Sequence, residues 1–109
     1  MNLPPRLKTL LSELVARNGS DLHVSGHSPP RIRIDGELRP MDLPSLTPKE
    51  AEALCFEEVS EELREHFKTH HEIDFSFGVE GIARFRANVY LEKDSVAGRF
   101  DPFPGKSPP

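Results

Sequence analysis

Residues 73–91 read IDFSFGVEGIARFRANVYL, and the fold is decided there. Ile73, Phe75, Phe77 and Val79 alternate with Asp74, Ser76 and Gly78. After Glu80-Gly81, Ala83, Phe85, Ala87, Val89 and Leu91 alternate with Arg84, Arg86, Asn88 and Tyr90. Successive strand side chains point to opposite faces, so a period of two predicts a hairpin with one apolar face and one polar face. Arg84, Arg86 and Asn88 fall together on the polar side. The apolar side must be covered by something else in the chain.

Working outward, three helices are available for that cover. Leu7, Leu10, Leu11, Leu14 and Val15 recur at helical spacing and predict a helix over 5–17, closed at Asn18-Gly19 by glycine in the left-handed conformation. Thr47-Pro48-Lys49-Glu50 has a capping residue, a proline suited to the first turn and a glutamate that reaches back in a capping box. Ser60 opens a further helix to His70, with Leu63 and Phe67 on one face. Between these helices lie short alternating runs. Asp21-Leu22-His23-Val24 is one strand, and Arg31-Ile32-Arg33-Ile34 turns at Asp35-Gly36 into Glu37-Leu38-Arg39. Val96 to Phe100 adds another strand. Asp101 to Pro109 holds four prolines in nine residues, which predicts a loose tail rather than helix or central strand. Strands in hairpin pairs with interspersed helices predict an α+β fold, an antiparallel sheet with helices packed on one face. A single domain over 1–100 and a tail over 101–109 follow.

The composition agrees with one small domain. The 109 residues are 36% hydrophobic and 29% charged, as in folded proteins. A net charge of −4 is a poor match for the phosphate backbone of nucleic acid, so no nucleic-acid partner is expected. No run approaches the roughly 20 apolar residues that cross a bilayer, and the N-terminus lacks a secretory pattern. The expectation is a cytoplasmic protein without membrane insertion. The lone Cys55 excludes a disulfide framework and reads as a packing residue.

Catalytic and metal chemistry find no complete constellation. Gly105-Lys106-Ser107 imitates a phosphate-binding loop, but Phe100 stands where the earlier glycine is required and Pro108-Pro109 follow. His66 and His70 share a helix face without a reliable third ligand, so no metal site is expected. Ser20, Asp21 and His23 are adjacent in sequence, yet neighbouring strand residues point to opposite faces, and a triad is defined by geometry. No catalytic residue is assigned. The feature that stands out is cationic. Arg31 and Arg33 share one strand face and Arg84 and Arg86 another, so a common sheet could carry a strip of four guanidinium groups. Such a strip is either a solvent face paired with carboxylates or a surface for phosphate or a partner's acidic groups.

Ser20-Asp21-Leu22-His23, Pro29-Pro30, Arg33-Ile34-Asp35-Gly36-Glu37-Leu38, Glu72-Ile73-Asp74-Phe75-Ser76-Phe77 and Arg84-Phe85-Arg86-Ala87-Asn88-Val89-Tyr90 resemble, in this order, the opening of type IV pilus retraction ATPases of the PilT type. The resemblance covers about residues 6–100. It implies a PAS-like N-terminal domain, which in the family is linked to a RecA-like ATPase domain and assembled into hexameric rings at the inner face of the cytoplasmic membrane. It implies a non-catalytic role here, mediating ring assembly and coupling to the ATPase domain in twitching motility. ATP and magnesium belong to that second domain, so no cofactor is expected for this chain alone. By resemblance Arg86, with Arg84 beside it, approaches nucleotide phosphates, Asn88 and Arg33 lie near the same interface, and Asp21, His23 and Asp74 are structural motif residues. One departure is that Asp101 stands where the family has a second arginine. A different reading is a stand-alone PAS-like sensor with a small ligand inside the sheet, or a non-functional fragment. Seven phenylalanines and no tryptophan point to a filled core rather than a ligand cavity.

Overall fold

The computed structural model describes residues 5–103. Three helices, α1 (Leu7–Ala16), α2 (Pro48–Cys55) and α3 (Glu61–His70), accompany six strands. These are β1 (Asp21–Val24), β2 (Arg31–Ile34), β3 (Glu37–Pro40), β4 (Glu72–Val79), β5 (Ala83–Glu92) and β6 (Ser95–Pro102). They form one antiparallel sheet in the order β3-β2-β1-β6-β5-β4. The α+β fold read from the sequence is the fold observed, and the hairpin that decided it pairs Glu72 with Tyr90 through Val79 with Ala83.

The last strand does more than the sequence suggested. β6 runs on through Asp101 and Pro102, which pair with Arg86 and Phe85, and it sits in the middle of the sheet between β1 and β5. The start of the expected tail is therefore central strand. Pro102 is tolerated because the β1 ladder ends at Leu22 with Phe100, so on that side the strand is an edge and needs no donor at residue 102. Phe103 donates its backbone N–H to the Arg84 carbonyl at 2.9 Å, extending the ladder by one step. The Gly105-Lys106-Ser107 segment and the rest of 104–109 lie outside the described residues.

One face of the sheet is buried. Leu22, Val24, Ile32, Phe85, Val89 and Phe100 are 0–1% exposed and pack against Leu7, Leu10, Leu11 and Leu14 of α1 and Leu54 and Cys55 of α2. Burying a side chain such as Phe85 or Phe100 stabilises the fold by about 2–3 kcal/mol each. The α2 start carries the expected capping box, with Glu50 N–H donating to Thr47 Oγ1 and Thr47 N–H to the Glu50 carboxylate. α1 differs from expectation in three ways. Pro5 and Arg6 precede the helix, Val15 is 37% exposed, and Asn18, not Gly19, holds the left-handed conformation (φ 58°). Gly19 is required for space instead, because a Cβ there would stand 2.7 Å from Ile32 Cγ2 and 2.8 Å from Leu14 Cδ1. Arg6 offers α1 no cap of its own, and Glu57 supplies it from across the core, accepting from Leu7 N–H at 3.1 Å and from Arg6 at 2.9 Å. Leu91 was expected inside but is 39% exposed near the end of its strand.

α2 lies close against β6 because Gly98 has no side chain. A Cβ at that position would stand 2.8 Å from the Cys55 sulfur. Burial pushes the Cys55 thiol up to about 12, with Glu52 adding to the shift, so it stays protonated and packs as an apolar group. Gly98→Ala is expected to lower unfolding stability by about 1–3 kcal/mol through overpacking. In urea denaturation the double variant Gly98→Ala/Cys55→Ala should lose less than the sum of the single variants, and strict additivity would show that the two positions do not press on each other.

Candidate functional site: the uncovered face of the sheet

All three helices pack on the inner face, and the outer face presents the polar set of β1, β2, β4, β5 and β6, whereas β3 turns Leu38 and Pro40 to it. One row can be followed across five strands: Arg31 is level with His23, His23 with Arg99, Arg99 with Asn88 and Asn88 with Asp74. A second row runs from Arg33 to Asp21, and on the far side from Asp101 to Arg86 and Ser76. The expected strip of four guanidinium groups is not formed. β2 and β5 do share a sheet and a face, but β1 and β6 lie between them, a separation of about 14 Å at the usual strand spacing. Asp21 and Asp101 project from those intervening strands. The face is a mosaic of alternating charge.

At its centre Asp21 is 3% exposed. The Ser20 hydroxyl donates to it at 2.6 Å, His23 Nε2 lies 2.5 Å from Oδ2, Arg33 Nε lies 3.4 Å away and Arg99 Nε 3.8 Å. Burial by itself would raise the Asp21 pKa, but the Ser20 and His23 hydrogen bonds and the nearby His23 and Arg33 outweigh it, so the carboxyl is held below its ordinary value. Asp21 and His23, two residues apart, share a face, so Ser20, Asp21 and His23 do come together, contrary to the sequence expectation. The order of contacts rules out a triad. Serine and histidine both bond to the aspartate, and among the described residues no base accepts from the serine hydroxyl. The cluster anchors β1 against β2 and β6.

The remaining candidates separate by partner. Asn88 donates its side-chain amide to Glu72 at 3.0 Å and to Asp74 at 2.9 Å, so Asp74 serves to orient Asn88. Arg84 lies 3.4 Å from the Ser76 hydroxyl and 5.9 Å from the Phe103 ring centre. Arg86 is exposed and, among the described residues, has no carboxylate within ion-pair distance. Beside it lies an open depression of about 370 Å³ lined by Glu72, Asp74, Arg86, Asn88, Arg99 and Asp101. Arg99, which the sequence reading passed over, is 3.3 Å from Asp101 and flanks the same depression. Its signal was the alternation Arg99-Phe100-Asp101, which the proline-rich context obscured. Among the described residues no group of three or more metal-ligating side chains comes together, and His66 and His70 stack on each other at 3.9 Å. No helix among them is long and apolar enough to cross a membrane.

Known proteins give this arrangement a context. No family model matches the chain. It is 38% identical over 97 residues to the type IV pilus retraction ATPase PilT of Pseudomonas aeruginosa, covering 89% of this chain and 28% of that protein. It is 29% identical over 87 residues to the type IV pilus ATPase PilU of the same organism, covering 80% of this chain and 23% of that one. Among solved structures, the pilus retraction motor PilT with bound ADP superposes with a TM-score of 0.87 at 35% identity, over 95% of this chain and 31% of the motor chain. The Legionella pneumophila ATPase DotB shares the fold, with a TM-score of 0.78 at 17% identity. The chain thus spans less than a third of the length of these relatives.

The Asp21 cluster makes a pH-dependent prediction. A carboxyl whose native pKa is depressed stabilises the fold above its unfolded pKa, and that stability is lost as pH falls through the native value. Asp21→Asn should cost about 1–3 kcal/mol at neutral pH, because its hydrogen-bond partners lose a charged acceptor. The gap between wild type and variant in chemical denaturation should narrow as pH drops below about 4. A gap constant from pH 7 to pH 3 contradicts the account.

Proposed function

Because the chain is homologous over nearly its whole length to a part of the PilT-type pilus ATPases, we propose that it is the non-catalytic N-terminal domain of a twitching or retraction motor. Its partner is a RecA-like ATPase domain of the same family, and its work is to assemble the ring and couple nucleotide state to movement. The domain presents its uncovered sheet face to that partner. The observation that carries the proposal is Arg86. It is exposed, unpaired among the described residues and set beside an open polar depression on a face no helix covers. A guanidinium in that position is available for a partner's carboxylate or for a phosphate held by the partner.

The mosaic of charge supports a protein partner. Alternating signs give register and reject wrong partners, because a shifted docking sets like charges against each other. Asp101 modifies the phosphate side of the proposal. It stands where a second arginine was expected, and Arg99, two residues earlier on the same face, supplies a cation beside it. The small-ligand sensor reading is weakened by the interior, where Leu10, Leu11, Phe85 and Phe100 at 0–1% exposure fill the space between sheet and helices.

Binding of this chain to the ATPase domain of a PilT-type motor, with and without a non-hydrolysable ATP analogue, tests the proposal. Arg86→Glu and Arg84→Glu should each weaken binding about 5- to 100-fold with the melting temperature preserved, as for charges at an interface. The chain alone should show no ATP hydrolysis. Absence of binding in both nucleotide states, or equal binding by the charge-reversed variants, contradicts the proposal. A tightly bound metabolite in the purified chain would favour the sensor.

A further inference from the structure

The two edges of the sheet are built differently. β3 is short, carries Glu37 and Arg39 and ends at Pro40, which are the usual protections of an edge. β4 runs for eight residues with no proline, no basic residue and no bulge, in unbroken register with β5. Among the described residues, no backbone hydrogen bond from a loop or helix reaches Glu72–Gly78. The core is also incomplete at this edge. Phe75 and Phe77 are half-buried, whereas Phe85 and Phe100 further in are fully buried.

We propose that the free edge of β4 pairs antiparallel with β4 of a second copy of this chain, around a two-fold axis at Ser76. The inference stands independently of the proposed function. The buried face must stay continuous across the junction, so residues of like orientation must face each other. Centring on Ser76 sets Phe75 against Phe77, Ile73 against Val79 and Asp74 against Gly78. Aromatic cross-strand pairs are favourable, and they would cover the half-buried rings of both copies. The charge that favours this register is that of Arg84, while Glu72 falls opposite Glu80 at its two ends. Arg84 is the β5 neighbour of Gly78, and its guanidinium lies where a Gly78 side chain would have been, with Nη1 3.1 Å from the Cβ position. Asp74 of the second copy would therefore arrive beside Arg84, twice by symmetry. Centring on Phe77 instead would take Asp74 past Gly78 to Glu80 and away from Arg84, and centring on Asp74 would set it against itself.

One strand pair buries less than the roughly 1,200 Å² of a stable interface, so the dimer is a weak one with a Kd of about 10–500 µM. Sedimentation equilibrium of the purified chain from about 10 µM to about 1 mM tests it, with circular dichroism to confirm folding. The expected result is a mass rising from monomer to dimer. Ser76→Lys, which sets two ammonium groups face to face on the axis, should return the chain to monomer. Asp74→Arg and Arg84→Asp should each weaken association, and the double variant should restore it. That exchange keeps the proposal testable if Ser76→Lys fails to fold. A monomeric mass throughout, or a dimer indifferent to all of these variants, overturns it.

Discussion

Everything in this molecule depends on β6 lying between β1 and β5. Five of the six strands come as two local sets, β1-β2-β3 and β4-β5, and each alone is a small ribbon with one apolar face. Small ribbons of this kind are marginal in water. β6 joins them, pairing through Leu22–Val24 on one side and along Phe85–Glu92 on the other. Its inward residues Val96 and Phe100 complete the buried face, and its glycine at 98 brings α2 down onto the sheet. Among the described residues, β6 is the strand that closes the core.

That insertion also writes the polar face. Arg99 and Asp101 reach the outer surface only because β6 is central, and they stand between the cations of β2 and those of β5. Asp21 is thereby enclosed, with Arg33 on one side and Arg99 on the other, and its charge is offset by contacts with Ser20, His23 and Arg33 and by the nearby Arg99. The same arrangement keeps Arg86 apart from the anchored network. One part of the face is fixed by its own contacts, and the other is left with unspent donors. Partner binding is the economical use of such donors, since an exposed unpaired guanidinium adds little to stability.

Alternation in 73–91, the Asp35-Gly36 turn and the Thr47 and Ser60 helix starts were legible in the sequence because each is a local rule, decided within a few residues. The α+β class and the one-sided helices followed from them. What was not legible came from contacts distant in the chain. Glu57 caps α1 from 50 residues away, Gly19 is chosen by Ile32, and Gly98 by Cys55. The prolines after residue 101 masked the end of β6, and with it the role of Arg99. Of the candidate site, Arg84, Arg86 and Asn88 were found by periodicity, but their separation from Arg31 and Arg33 depends on strand order, which no local pattern contains. The Ser20-Asp21-His23 cluster was misjudged for a simpler reason. Residues two apart on a strand share a face, and the aspartate could meet both neighbours.

The central claim is that the uncovered face of the sheet meets a motor ATPase domain. The most direct measurement is an amide NMR map of the isotopically labelled chain, titrated with the ATPase domain of a PilT-type motor. The account predicts perturbations concentrated on β1, β5 and β6, with the largest at Arg84, Arg86 and Arg99 and little change in α1, α2 and α3. Perturbations centred on the helices, or a sheet face unaltered at saturating partner, would contradict it.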